Sequence, residues 1–426
     1  MTALVICNTY ESYGSFLRDL KGPVDHVHSV GDRSLFYLSC PKILVTSIRP
    51  PHIDYIQSLG YTIQCLSPRQ PSPSICRDLI DDPELRQALL AAMEHTSQVE
   101  VIPYCNTPDF FQMVAHYQAE YPLEITTPES PSAQLSWLRD ALDRKSVFSM
   151  LAPSLLEGTD CKLTPRVVAD SLAQAAAAVE SFLIQTQSCV VKPDAGYLSL
   201  GLMRFDPETA WTREKIEAHL GTNAALGRRK LSVESWIPSG TDCQSPSVEV
   251  FVPHEGNPYI TYICDQVFSD SNLFSGISLR PEFYETAWAQ TLSTGALAIA
   301  RRLQSLGYCG YFDLDAVVDP DGQVYVVEMN PRRTGGTHVH EMAEFLIGKD
   351  YRNKAVLLSG SLTLKRHCTW PELEMTLRDN DLLYPQGPVV PVQTSSLPGG
   401  VLSYAVIAAD WGTVKFWQGR LLALLT

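Results

Sequence analysis

The stretch YFDLDAVVDPDGQVYVVEMN, residues 311–330, decides how this chain is read. Two apolar runs flank Asp319, Pro320, Asp321 and Gly322, all favoured turn formers, so the segment is expected to fold as an antiparallel hairpin. With the turn centred on Pro320 and Asp321, Asp313 falls opposite Glu328 and Asp315 opposite Val326. Side chains alternate along a strand, so Asp313, Asp315, Glu328 and Asn330 then share one face. Four oxygen-bearing side chains on an otherwise apolar hairpin are costly to bury without a cation or hydrogen-bond partners. The pattern fits Mg²⁺, which takes one or two carboxylates and completes its octahedron with phosphate and water oxygens. An isolated D-x-D…E-x-N is more often a solvated polar face, so the weight rests on what lies upstream.

There, Lys192 ends the apolar strand CVVK and opens the small-residue loop PDAGYLSLG. An ammonium at a strand end beside loop N–H groups suits phosphate oxygens. This loop has only Gly196 and Gly201, and GTNAALGRRK lacks both the spacing and the Lys-Ser/Thr ending of a P-loop. Glu234, in VESWI, ends a further strand, and Asp242 follows Pro238, Ser239 and Gly240. A strand edge of this kind offers backbone groups to adenine and a carboxylate to ribose.

Before residue 125, short apolar runs (ALVIC, LFYLSC, KILVTS, YTIQCL, VEVIPY) alternate with amphipathic segments such as DPELRQALLAAMEH, as in a parallel α/β layer. No G-x-G-x-x-G interrupts them. The Pro-rich EITTPESPSAQ marks a boundary, after which WLRDALDRKSVFSML reads as one helix. Thr164 followed by Pro165 and Ala-rich text predicts a helix from 164 to about Ile184. From 188 the text turns β-rich, until EFYETAWAQTLSTGALAIARRLQSL predicts a long helix stopped by Gly307. In the tail, VLSYAVIAA and TVKFW read as strands.

The chain has 426 residues and a net charge of -14, with 33 basic against 47 acidic side chains, so no overall field attracts nucleic acid or anionic membranes. A bound nucleotide is decided locally and remains compatible with that charge. The start, MTALVICNTY, has no basic region and too short an apolar run for a signal peptide, and no stretch reaches the roughly 18 apolar residues of a spanning helix. A cytoplasmic location is expected. Eleven cysteines without a C-x-x-C pair are expected to be reduced packing residues, with no zinc site.

In order, DRKSVF (143–148), VVKPDAGYLSLG (190–201), VESWIPSGTD (233–242) and GYCGYFDLDAVVDPDGQVYVVEMNPRRTGGT (307–337) resemble the successive motifs of ATP-grasp enzymes. The final E-M-N-P-R is similar to that of D-alanine ligases, biotin carboxylases and carbamoyl-phosphate synthetases. The α/β start and strand-rich tail resemble the subgroup with a pre-ATP-grasp domain, typified by the pheganomycin-type peptide ligase. The resemblance implies an α/β chain with a pre-ATP-grasp domain at 1–125, a small ATP-grasp lobe at 126–232, a metal-bearing lobe at 233–348 and a C-terminal extension at 349–426. It implies that Asp315, Glu328 and Asn330 ligate Mg²⁺ or Mn²⁺ and that Lys192 with Arg144 or Lys145 holds the ATP phosphates, under the Gly196–Gly201 loop. Adenine would lie against Glu234 and the backbone of Ser235, Trp236 and Ile237, and ribose against Asp242. Arg280 and Arg332 would hold the transferred phosphoryl group or the substrate carboxylate, and Asp313, His338 or His340 would serve as base. The phosphate loop is poorer in glycine than the family pattern, and one residue is inserted before Asp242. The implied activity is carboxylate–amine ligation through an acyl phosphate, releasing ADP and phosphate, on amino acids or short peptides in natural-product biosynthesis. Nearby alternatives are a kinase, ligation to a carrier-protein thiol, and an inactive nucleotide-binding module. The expected partners are ATP, a small carboxylate and an amine, with no nucleic acid and no membrane; a homodimer is compatible with this picture.

Overall fold

The computed structural model describes residues 2–18, 29–38, 41–196, 199–227, 229–240, 243–269 and 273–426, with side chains from 2–13 in the first of these segments. Among them the strands form three sheets. The first holds β1 (Thr2–Ile6), β2 (Lys42–Val45), β3 (Ile63–Leu66), β4 (Gln98–Pro103) and β5 (Glu124–Thr126) in the order β3-β2-β1-β4-β5, all parallel. The inner strands β1 and β2 are buried along nearly their whole length, which is why ALVIC and KILV read as unbroken apolar runs, whereas the edge strands β3 and β5 are partly exposed. Of the expected strand LFYLSC, Leu35 and Phe36 instead end a 3-10 segment, Val30–Phe36, and Tyr37 is its extended C-cap. Leu35, Phe36 and Tyr37 are core residues there, and the Lys42 ammonium donates to the carbonyls of Leu35 (2.7 Å), Tyr37 and Leu38 (3.2 Å) that a strand would have paired.

The two-residue β6 (Lys162–Leu163) joins the largest sheet, and then comes a small four-stranded sheet of β7 (Arg166–Ala169), β8 (Cys189–Pro193), β9 (Met203–Phe205) and β10 (Leu231–Ser235), in the order β7-β10-β8-β9. The helix expected from Thr164 begins only at Leu172 and runs to Ile184, capped by the Ser171 hydroxyl, which accepts from Gln174 N. The β-branched Val167 and Val168 take the chain into a ladder with β10 first, a long-range pairing that outweighs the local Pro165 signal. Likewise the segment 137–151 splits into two helices, Trp137–Leu142 and Lys145–Leu155, with Arg144 extended between them.

The nine-stranded sheet runs β17-β18-β16-β13-β12-β11-β14-β15-β6, from β11 (Pro246–Val252), β12 (Tyr259–Phe268), β13 (Phe274–Leu279), β14 (Gly310–Val318) and β15 (Val324–Asn330) to β16 (Val356–Thr363), β17 (Val389–Gln393) and β18 (Val401–Ala408). The amphipathic helix Ala287–Ser305 packs its apolar stripe on the β11–β14–β15 side, and Gly307 ends it with φ +90°. The tail's TVKFW is not a strand: Trp411–Leu425 is a helix capped by Asp410 and packed on β16 and β18. Val414, Leu421 and Leu425 recur at helical spacing and are buried, a period of 3.6 that five residues alone disguise. Among the described residues no helix is long and apolar enough to cross a membrane.

Candidate active site

The hairpin of β14 and β15 forms, but in a different register from the one expected. Asp313 faces Asn330 and Asp315 faces Glu328. Two insertions cause the shift. Gly322, at φ +81°, lengthens the turn so that Asp319 N donates to Gln323 O, and a bulge follows between Asp315 and Ala316. The four polar side chains still share a face, because the bulge lies outside the Asp313–Asp315 and Glu328–Asn330 pairs. On the opposite face Phe312, Leu314 and Met329 are buried against the helix Ala287–Ser305.

This face forms the floor of a cavity of about 860 Å³ walled by strands of the four-stranded and nine-stranded sheets and by Tyr13, Arg33 and Tyr104 from segments that connect the strands of the first sheet. Asp315 accepts from Gln266 Nε2 (2.7 Å) and Asn330 Nδ2 (3.1 Å), and Arg332 donates to Asn330 Oδ1 (3.1 Å). Lys145 reaches Glu328 at 2.8 Å. Across the cavity Lys192 meets Glu234 at 3.1 Å, and Arg166 approaches the same carboxylate at 3.6 Å. Glu234 is only 1% exposed and also accepts from Ser232 at 2.8 Å, so its side chain holds cations rather than facing a base. The backbone that follows it, Ser235 to Ser239, lines the cavity, with the half-exposed Trp236 ring stacked under Arg204 at 4.4 Å.

The electrostatics divide the face. Burial would raise the Glu328 carboxyl, but the Lys145 and Lys192 charges override it and hold it at about 2. Burial, followed by the charges of Asp313 and Glu328, pushes Asp315 well above the usual carboxylate range. Asp313 is raised to about 7 by burial, against the pull of Arg332, and its Oδ1 has no hydrogen-bond partner among the described residues. These residues fit a hard divalent ion: clustered carboxylates lack a compensating cation beside Asp315, and Asn330 supplies a neutral amide. Among the described residues no three acidic, imidazole or thiol groups make a cage. Such an ion would therefore take Asp315, Glu328 and the Asn330 amide and fill its shell with phosphate and water oxygens.

The expected site residues divide accordingly. Lys145, Lys192, Gly196, Glu234, Ser235, Trp236, Ile237, Asp313, Asp315, Glu328, Asn330 and Arg332 line the one cavity. Arg144 is exposed and outside its lining, so the structure brings Lys145 of the two neighbours to the site. Gly201 lies behind the loop, at φ +91°, where a Cβ would meet Ala225 Cβ at 2.9 Å. Arg280 is stacked on Phe283 and Trp411 and paired with Glu282 at 2.7 Å, away from the cavity. His338 and His340 are buried on the helix Thr337–Leu346, His340 bonded to the Tyr351 hydroxyl at 2.9 Å, and neither lines it. Asp242 lies outside the described residues.

Sequence reasoning missed Gln266, Tyr13, Arg33, Tyr104 and the wall behind Asp313, where Glu249 accepts from Thr261 (2.8 Å), Thr334 (3.3 Å) and Thr337. Burial pushes that Glu249 carboxyl up to about 7. Gln266 left one weak trace, a polar residue within the apolar strand YICDQVF; the others carry no local signal.

The arrangement of a parallel first sheet, a small antiparallel lobe and a large sheet bearing an acidic hairpin is the ATP-grasp fold. A family model described as an ATP-grasp domain matches residues 185–341. Among solved structures, biotin carboxylase from Campylobacter jejuni, in a complex with an ATP analogue, is similar at TM-score 0.60 and 14% identity, covering 99% of this chain and 91% of that one. N5-carboxyaminoimidazole synthetase from Staphylococcus aureus, complexed with ADP, gives TM-score 0.55 at 12% identity, with 99% and 97% covered. The N5-carboxyaminoimidazole ribonucleotide synthetase of Thermus thermophilus gives 0.54 at 11%, with 100% and 99% covered. No curated protein matches the chain in sequence.

Proposed function

We propose that this chain is an ATP- and magnesium-dependent ligase that activates a carboxylate as an acyl phosphate and passes the acyl group to an amine, with release of ADP and phosphate. One observation carries the reading. A hairpin face with Asp315, Glu328 and Asn330 stands in the same cavity as Lys145 and Lys192, the geometry that a metal–triphosphate needs. The ATP-grasp fold and the nucleotide in the similar solved structures support it.

In this reading adenine lies along the Ser235–Ile237 backbone beside Trp236, and the phosphates run to Lys192 and Lys145. Magnesium, when bound, neutralises charge on the phosphate oxygens. Lys145 and Lys192 spread positive charge over the same oxygens, so catalysis is mainly positioning and electrostatics. Arg332 offers a planar guanidinium to the carboxylate or the transferred group. Of the three bases considered, Asp313 is the one that lines the cavity. An acyl phosphate hydrolyses in water, and closure of the four-stranded lobe over the cavity protects it.

The test supplies ATP, MgCl₂, hydroxylamine and a panel of the twenty amino acids and their dipeptides, reading hydroxamate, ADP and AMP. Hydroxamate with stoichiometric ADP is expected for at least one carboxylate. AMP with pyrophosphate, or a stable phosphorylated product with no condensation, overturns the reading.

A further inference from the structure

Beyond the acidic face, the cavity continues into a region that the nucleotide reading leaves unused. Along β15, Glu328 and Asn330 are separated by about 7 Å of strand, with Arg332 just past its end. Arg332 lies 5.2 Å over the Tyr13 ring, and the Tyr13 and Tyr104 hydroxyls share a 2.6 Å hydrogen bond. Burial raises the Tyr104 phenol while the charges of Arg332 and Arg33 pull it down, so both guanidinium groups bear on one ring.

Arg33 comes from the 3-10 segment Val30–Phe36 and is aimed by a single bond, its Nε donating to Gln393 Oε1 at 3.1 Å. No carboxylate among the described residues pairs with it. Its Nη1 sits by the Gly335 turn: a Cβ built on Gly335 would lie 3.7 Å from Nη1 and 2.5 Å from the Phe274 ring. Gly335 thus leaves the guanidinium open beside an aromatic wall. A second group points the same way. Arg332 is 8% exposed at the side chain, meets Asp143 only at 3.9 Å, and its buried Nε has no partner. Both arginines line the cavity, Arg33 without an ion pair among the described residues and Arg332 with Asp143 no nearer than 3.9 Å, so together they offer planar donors to an anionic ligand. In the ligase reading the triphosphate does not fill this role, because its cations are Lys145, paired with Glu328, and Lys192, paired with Glu234 across the cavity.

We propose that Arg33 holds the free carboxylate of the amine-bearing substrate, so that the acceptor is an amino acid, with Tyr13, Tyr104 and Phe274 giving its side chain an aromatic or apolar berth. This rests on the ligase reading. Arg332, next to Asn330, serves the carboxyl that is activated, and Arg33 serves the one that stays free in the product. No covalent chemistry falls to Arg33; it binds and orients.

The experiment compares each of the twenty amino acids with its carboxamide as acceptor, using wild type, Arg33→Ala and Arg33→Lys, by kcat/KM and by calorimetric binding to protein loaded with MgADP. A charge-assisted pair is worth roughly a 10- to 100-fold preference for the acid over the amide. Wild type is expected to show it for at least one amino acid, Arg33→Ala to reduce it below about threefold, and Arg33→Lys to recover part of it. Wild type that takes amides as readily as acids, or a preference that survives Arg33→Ala, overturns the proposal. If Arg33→Ala does not fold, Arg33→Lys and the wild-type ratio decide. The hydroxamate assay on wild type judges the ligase reading separately, since hydroxylamine carries no carboxylate, while the calorimetric arm tests Arg33 even where no ligation occurs.

Discussion

Arg144 and Lys145 are adjacent cations at the start of one helix, and one peptide bond separates a surface residue from a buried one. Arg144 is the extended residue before the helix and points to solvent, whereas Lys145 begins it, is 9% exposed and reaches Glu328 at 2.8 Å. The two are equivalent in sequence, so the choice between them belongs to the packing of that helix against β15. If Lys145 holds the phosphates as proposed, Lys145→Met is expected to lower kcat/KM for ATP by at least about 100-fold, since it removes that cation and leaves Glu328 without its nearest counter-charge. Arg144→Ala is expected to change stability by no more than about 0.5 kcal/mol and to leave turnover near wild type. Steady-state kinetics on the two variants, with urea midpoints, checks the contrast. Arg33 and Gln266 make the same point from the other side. Their neighbours in sequence say nothing about the cavity, which they reach through bonds to Gln393 and Asp315, residues far along the chain.

At the scale of elements, the hairpin was legible because its polar residues keep period two across an apolar run, and its register was not, because bulges leave no clear mark in the text. The face survived the error since both slips fall between the polar pairs and the turn. The helix Lys145–Leu155 shows how an element is aimed. Ser146 N and Oγ donate to the Asp194 carboxylate at 2.7 and 2.9 Å, and Lys145 N donates to Asp194 O at 2.9 Å. One residue just past β8 therefore ties the four-stranded lobe to the helix that carries Lys145. Asp194→Ala is expected to cost about 1–2 kcal/mol through the lost cap. It should also weaken ADP binding several-fold, with Asp194→Asn intermediate, because Lys145 loses its seat. Urea denaturation and ADP calorimetry read the two effects, and unchanged ADP affinity in a folded Asp194→Ala variant would refute the coupling.

At the scale of the molecule, Arg333 joins the parts. It is 1% exposed, donates to Glu129 at 2.8 and 2.6 Å and to Glu341 at 2.8 Å, and lies between the Tyr37 and Tyr311 rings at 4.4 Å each. Those partners come from the 3-10 segment's end, the stretch after the first sheet, the hairpin and the helix behind it. Arg333→Met leaves two carboxylates uncompensated and is expected to destabilise by about 3–5 kcal/mol. The sign with pH follows from Glu129, whose carboxyl burial already raises while Arg333 opposes the rise. Without Arg333 its folded value climbs further above the unfolded one, so the deficit is smallest below the unfolded carboxylate range and grows as pH rises. Urea midpoints at pH 5 and pH 8 should therefore differ more in the variant than in wild type. By itself the sequence determined the parallel first layer, the long helix ended by Gly307, and the acidic face with Lys192 upstream, because strand period, helix stops and turn chemistry are local. Only the tertiary structure decided the register, which of Lys145 and Arg144 lines the cavity, the position of Arg280 and the two histidines outside its lining, and the place of Arg33 within it. Those depend on which surfaces meet across three sheets, and a contact between distant residues has no period to be read.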